Sequence, residues 1–284
     1  MYTQSITRQH RTAFVLLVDG SGSMAEEIPF RGIRTSKAKA VSIIANELLF
    51  ELIERARRTE GIRDYYDIAL WGYSGDNEVR SLLEGEDEIV SIEELAARPV
   101  TMVRQTIDLR LPDGSCALRE VQTPEWIKPQ AAGQTPMVEA LRVARDLLAR
   151  WIAREEHRFS FPPIVFNITD GEATDGTDEE LLSVARQLRD LHTDDGNVLL
   201  INIHIGTGDE RTLFFPSHDE PLPLNRHAMT LYEASSEMPA CFNEAIRAVK
   251  GAGAMPPFRG MSFNASAAEL VAMLDIGSIS VKTE

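Results

Sequence analysis

A doubly wound α/β fold, with a mostly parallel central sheet, helices on both faces and one antiparallel edge strand, is what this sequence predicts. Three observations carry that expectation. Residues 13–18 and 164–169 are near-continuous apolar runs, the pattern of strands buried on both faces of a sheet. Long stretches with helical apolar period separate and follow them. Each run also breaks at Asp-Gly, first Asp19-Gly20 and then Asp170-Gly171, as strands do where a sheet hands the chain to a loop.

Taken in order, the first strand gives way at Asp19-Gly20-Ser21-Gly22-Ser23 to a segment that is loop by composition. Over 36–58, Val41, Ile44, Leu48, Leu49, Leu52 and Ile53 recur at helical spacing, while Glu51, Glu54 and Arg55 take the solvent side. Residues 66–73 read as a second strand, and Gly75-Asp76-Asn77 as a turn into a third around 79–83. Strand, helix and strand then make a right-handed crossover. The pattern loosens over 84–129, with a short helix at 92–97, a strand at 100–109 and a Pro112-Asp113-Gly114 turn, together an insertion or edge elaboration. Thr135-Pro136 opens a helix carrying Val138, Leu141, Ala144, Leu147, Leu148 and Trp151, with proline at its first turn. Pro162-Pro163 closes that connection. The strand at 164–169, a helix at 179–191 and a strand at 198–205 form another βαβ step. Residues 207–229 read as a long loop, followed by a short strand or turn near Leu231 and a helix around 240–249. A linker-like break at 251–257 and a small helix at 269–274 finish the chain. The expected organisation is one domain over 1–284, its core at about 11–250, an insertion at about 84–129 and a C-terminal extension at 251–284.

Charge narrows the function classes. The 29 Lys and Arg against 44 Asp and Glu give a net charge of −15, the wrong sign for neutralising nucleic-acid phosphates or for sitting on anionic membrane. Cys116 and Cys241 share no metal-ligand spacing and are too few for a disulfide framework, which fits a reducing compartment. Arg8, His10 and Arg11 precede the first apolar run, but that run is too short for a signal peptide and ends at Asp19 without a small-residue cleavage site. No stretch reaches the roughly 20 apolar residues of a membrane span, so the expected location is cytoplasmic.

In open α/β sheets, ligands bind beyond the carboxyl ends of the strands, near the point where strand order reverses. Asp19, Ser21 and Ser23 leave the first strand there, Thr135 opens a helix, and Asp170 ends the strand that follows. All five are short, hard oxygen donors, the type chosen by Mg²⁺, which takes about six oxygens and keeps some waters.

Asp19-Gly20-Ser21-Gly22-Ser23-Met24 after a buried strand, Gly133-Gln134-Thr135-Pro136 before a helix and Ile168-Thr169-Asp170-Gly171 after a strand together resemble the three-part metal-ion-dependent adhesion site of von Willebrand factor A domains. The resemblance runs from about residue 11 to 250. It implies a Rossmann-like sheet whose bound Mg²⁺, or Mn²⁺ or Ca²⁺, touches both serines and the threonine directly, with one or both aspartates acting through water. It also implies a protein-binding role in which a partner carboxylate completes the metal shell. The 84–129 stretch is longer than the compact family pattern. The short N-terminus and the C-terminal tail look like stand-alone cytoplasmic bacterial members. Some of these, tellurite-resistance-associated ones included, are thought to work with a protein kinase and phosphatase, and others beside AAA+ ATPases.

Competing readings fare less well. The Gly-Ser loop has no GK[ST] after it, since Ser36-Lys37 comes too late for a phosphate cradle. The acidic run from Asp170 to Asp178 lacks the spacing and terminal Glu of a calcium-binding EF-hand, and its Glu172, Asp175 and Asp178 read as a solvated rim and a helix N-terminus, as do Glu26 and Glu27. Gly72-Tyr73-Ser74-Gly75-Asp76 misses the last glycine of a nucleophile elbow. His204 reads as a satisfied strand residue, and Leu213-Phe214-Phe215-Pro216 as packing under a loop, with a partner-contacting rim as the alternative. The rival function is a Mg²⁺-dependent hydrolase or phosphatase of the haloacid-dehalogenase type with Asp19 as nucleophile. That chemistry needs a second Asp two residues on as general acid, where this chain has Ser21. The expectation is therefore a non-enzyme that binds protein through a metal.

Overall fold

The computed structural model describes residues 1–110, 116–206, 212–223 and 225–279. Its twelve principal strands are β1 (Thr12–Asp19), β2 (Glu27–Phe30), β3 (Ile33–Ser36), β4 (Tyr66–Ser74), β5 (Glu78–Ser81), β6 (Val90–Ser91), β7 (Thr101–Arg110), β8 (Cys116–Glu125), β9 (Ile164–Thr169), β10 (Leu199–Ile205), β11 (Leu213–Phe214) and β12 (Met261–Ala265). The helices are α1 (Lys37–Ala56), α2 (Ile92–Ala97), α3 (Met137–Ile152), α4 (Asp178–Asp190), α5 (Arg226–Ala234), α6 (Asn243–Lys250) and α7 (Ala267–Ile279).

The central sheet runs β11-β12-β10-β9-β1-β4-β5, with β6 also on β4. Its five inner strands are mutually parallel, and antiparallel strands close both edges, β5 and β6 at one and β11 at the other, where one was expected. The absence of alternation in β1 has a direct cause. Phe14, Leu16 and Val18 enter the core on one face of the sheet, and Ala13, Val15 and Leu17 enter the core on the other. Each large side chain so buried contributes about 1.5–3 kcal/mol. Residues of α1, α2, α6 and α7 pack in the first core, and those of α3, α4 and α5 in the second. Among the described residues, no helix is long and apolar enough to cross a membrane.

Several elements depart from expectation. Glu27–Ser36 is a hairpin, β2 on β3, rather than loop. The insertion holds α2 as expected, with a capping box from Ser91 and Glu94. Its strand β7 pairs with an unexpected partner, β8, in a ladder of its own, while the expected Pro112-Asp113-Gly114 turn lies outside the described residues. The insertion returns to the domain through Asn46 on α1, which accepts from Trp126 N–H (2.8 Å) and Ile127 N–H (3.0 Å) and donates to the Ile127 carbonyl (2.9 Å). The segment around Leu231 is helix α5, capped by Asn225, not a strand or turn. The last helix is longer than expected. Past residue 250 the chain also supplies β12, which sits inside the sheet between β10 and β11. Leu213 and Phe215 are fully buried, so that segment packs rather than projecting as a rim.

Strand order reverses at β1, which has β4 on one side and β9 on the other. The crevice beyond β1 and β9 is therefore where a ligand site belongs.

Candidate metal centre

Asp19 is the last residue of β1, 1% exposed, with both carboxylate oxygens engaged: one accepts from Ser21 N–H at 2.8 Å, the other from the Thr169 hydroxyl at 2.7 Å. Burial pushes its pKa up to about 6, with the Asp170 charge adding to the rise and the bonds from Thr169 and Ser21 opposing it. Ser21 and Ser23 flank the entry to a single 3-10 turn, Gly22–Ala25, and neither side chain is spent as its cap. Ser23 Oγ donates to Asp170 Oδ1 at 2.6 Å and lies 3.1 Å from Ser21 Oγ. Because a hydroxyl carries one proton, Ser21 then donates to Ser23 in a chain that ends on Asp170.

Thr135 arrives on a loop stapled from two sides. Gly22 N–H donates to the Gly133 carbonyl (2.9 Å), Ala132 N–H to the Gly20 carbonyl (2.7 Å) and Gly75 N–H to the Ala132 carbonyl (3.3 Å). Gly133 makes this close approach feasible. Its φ is +76°, and a Cβ there would lie 2.4 Å from Gly75 Cα. The Thr135 backbone exchanges hydrogen bonds with Thr174, both at 3.0 Å. Asp175, expected as part of a solvated rim, instead accepts from Val138 N–H (3.1 Å) and Glu139 N–H (2.8 Å), serving the first turn of α3 in place of an N-cap side chain. The N-cap residue is Pro136. The Thr135 hydroxyl is thus not used as a cap, and among the described residues it has no hydrogen-bond partner. It faces the space beside Gly171: a Cβ built on Gly171 would sit 3.5 Å from Thr135 Oγ1 and 3.9 Å from Ser23 Oγ.

Asp170 follows β9, its side chain 0% exposed. The oxygen not bonded to Ser23 accepts from Lys37 Nζ at 3.1 Å. Lys37, 6% exposed, also reaches Glu26 at 2.5 Å. Sequence reasoning missed this lysine because it missed the hairpin that returns the chain, where Lys37 N–H donates to the Glu26 carbonyl (2.9 Å) and Ser36 caps α1. One signal was present. A lysine at the first position of a helix opposes the helix dipole unless an acid is close by.

The structure thus brings all five expected residues, Asp19, Ser21, Ser23, Thr135 and Asp170, to the sheet edge where β1, β9 and the start of α3 meet. Their chemistry fits a hard divalent cation: hydroxyls and carboxylates only, one hydroxyl uncommitted, and room beside a glycine. Among the described residues no group of three or more His, Cys, Asp or Glu is placed to hold a metal, so a cation here would rely on Ser21, Ser23 and Thr135. The cation would supply an electrophilic point at the surface, since neutral hydroxyls quench its charge poorly.

Elsewhere, Ser74 of the near-elbow accepts from Gln130 (3.1 Å) in a hairpin. His204 accepts from Asn264 N–H (3.2 Å) and stacks on Phe263 at 4.2 Å, a satisfied strand residue. Cys241 is free and exposed. Asp19 as a phosphoryl acceptor is disfavoured by its burial and by the engagement of both its oxygens.

No protein-family model matches the sequence, and no curated protein matches it. Solved structures similar to the chain include a von Willebrand factor type A protein from Catenulispora acidiphila, at 15% identity over 69% of this chain and 34% of that one, TM-score 0.42. The chain therefore spans about a third of that protein's length. A second is the von Willebrand factor domain of a type V pilus tip protein from Porphyromonas gingivalis, at 12% identity over 97% of each chain, TM-score 0.44. A third is an uncharacterized membrane-spanning protein from Vibrio fischeri, at 15% identity over 79% of this chain and 85% of that one, TM-score 0.28. The chain itself has a doubly wound α/β fold with a cluster of hard oxygen donors at its switch point.

Proposed function

We propose that this chain is a metal-dependent protein-interaction module. Asp19, Ser21, Ser23, Thr135 and Asp170 hold one Mg²⁺, or Mn²⁺ or Ca²⁺, and the ion's open position accepts an Asp or Glu carboxylate from a protein partner. The observation that carries this is the Thr135 hydroxyl: on a residue 5% exposed, spared from capping α3 by Asp175, without a protein partner among the described residues, and facing the same small space as Ser23. A hydroxyl so placed and not spent on the protein keeps its lone pairs available to a ligand. Hydrolysis is the weaker reading, since Asp19 is buried with both oxygens engaged and Ser21 stands where haloacid-dehalogenase chemistry needs a second Asp. The kinase–phosphatase and AAA+ settings suggested by the resemblance are candidate sources of the partner.

The test is a calorimetric titration of Mg²⁺ and Mn²⁺ into the wild-type protein and Thr135→Ala. Saturable binding by the wild type, weakened tenfold or more in the variant with unchanged circular dichroism, is the expected result. No binding, or equal binding, would refute the metal assignment. For the partner, capture that survives both EDTA and Thr135→Ala would refute the carboxylate bridge.

A further inference from the structure

Lys37 gives the site a positive charge that its five oxygen donors do not account for. Its side chain is 6% exposed, that of Asp170 is 0% exposed, and the two meet at 3.1 Å through the one Asp170 oxygen that Ser23 leaves unoccupied. Its other partner, Glu26, is 54% exposed and screened by solvent. A buried ammonium and carboxylate at this distance act strongly on each other, and removal of either leaves the other charged and uncompensated.

We propose that Lys37 is the centre's tethered counter-cation, a positioning residue that shares Asp170 with the divalent ion, weakens its binding and keeps the loaded site positive toward an anionic partner. This rests on the metal reading above. The charges show why. Asp19 and Asp170 alone would bring a bound divalent ion to neutrality, and a neutral centre attracts a partner carboxylate poorly. With Lys37 beside Asp170 the buried part of the loaded centre carries an excess positive charge, the balancing carboxylate of Glu26 being 54% exposed to solvent, while the empty centre already has Asp170 held in place by an internal cation. The cost falls on metal affinity. A unit positive charge within a few ångströms of a divalent ion repels it enough, at the effective dielectric of a protein edge, to lower affinity by a factor of ten or more. A lysine that served only to pin α1 and the β2–β3 hairpin would leave metal affinity unchanged.

Mn²⁺ is the probe, followed by electron paramagnetic resonance and calorimetry on the full chain. Lys37→Met and Lys37→Gln remove the charge, the second retaining a donor for Asp170 should the first fail to fold. Lys37→Arg keeps the charge. Binding at least tenfold tighter in the Met or Gln variant, with Arg close to wild type, is expected, together with a larger metal-induced rise in melting temperature. Binding only in the charge-removed variants would support the same conclusion in stronger form. Equal or weaker binding on removal of the charge would overturn the proposal while leaving the metal site standing. Silence from every protein would overturn the metal reading, and this proposal with it.

Discussion

Gly133→Ala should disable the proposed metal centre although Gly133 offers no ligand atom. The added Cβ would lie 2.4 Å from Gly75 Cα and 2.7 Å from Gly75 N, both backbone atoms that no rotamer change can move, at a φ of +76°. Left-handed strain on a non-glycine residue costs about 1 kcal/mol, and overpacking against rigid neighbours about 1–3 kcal/mol more. The expected loss is therefore about 2–4 kcal/mol. Relief requires the loop to lift off the β4–β5 turn, breaking Gly75 N–H to Ala132 and pulling on Ala132 N–H to Gly20 and Gly22 N–H to Gly133, and Thr135 moves with it. Gly32→Ala is the control. It sits in the β2–β3 turn at φ +82° with nothing within 4 Å of the new Cβ, so only the strain of about 1 kcal/mol applies. Urea denaturation gives both costs, and a Mn²⁺ titration reads the site. If Gly133→Ala fell within about 1 kcal/mol of Gly32→Ala and kept its metal affinity, the claim that this contact positions Thr135 would be wrong.

Thr135→Ala itself should cost only about 1 kcal/mol in urea denaturation, since it breaks no protein hydrogen bond among the described residues; a loss above about 3 kcal/mol would give the hydroxyl a structural role instead. Asp175→Ala removes two acceptors from the first turn of α3 and should destabilise by about 1–2 kcal/mol, an amount that a solvated rim residue could not produce. His157 stacks on Trp151 at 3.7 Å, bonds the Trp151 carbonyl, and has its pKa lowered chiefly by burial. The unfolded chain then takes up this proton at higher pH than the folded one. Its contribution is complete above the unfolded value of about 6.5 and is lost as pH falls through the folded value. The urea midpoint should drop between pH 7.5 and 5.5 and drop less in His157→Gln; parallel curves would refute the assignment.

What could be read from the sequence follows the strength of local signals. β1 and β9 were legible because strands buried on both faces cannot carry polar alternation, and α1 and α4 because each keeps its apolar residues at helical spacing beside a capping residue, Ser36 or Thr177. The five oxygen donors were legible because each adjoins the end of such an element. The β2–β3 hairpin was not. Its strands are four residues each, and only Ile28 and Phe30 are buried, too few to show a period. Lys37 was lost with it, since its neighbours Glu26 and Asp170 are set by tertiary return and not by spacing. α5 was obscured by Pro221 and Pro223 just before it and by its nine-residue length. β12 was obscured because five residues after a proline-rich break look like tail.

The placement of β12 also dictates an order of events during synthesis. β11 leaves the ribosome first, but its described sheet partner is β12, and β10 keeps one side open until the same strand arrives. The nascent sheet therefore waits through α5 and α6 with an unpaired parallel edge, the kind of surface on which incomplete chains associate with one another. Closure of the sheet and burial of α7 beside β12 come together, only after α6 has emerged. Ribosome-bound intermediates that stop before Met261 should be the aggregation-prone population, and holdase chaperones would act on that interval.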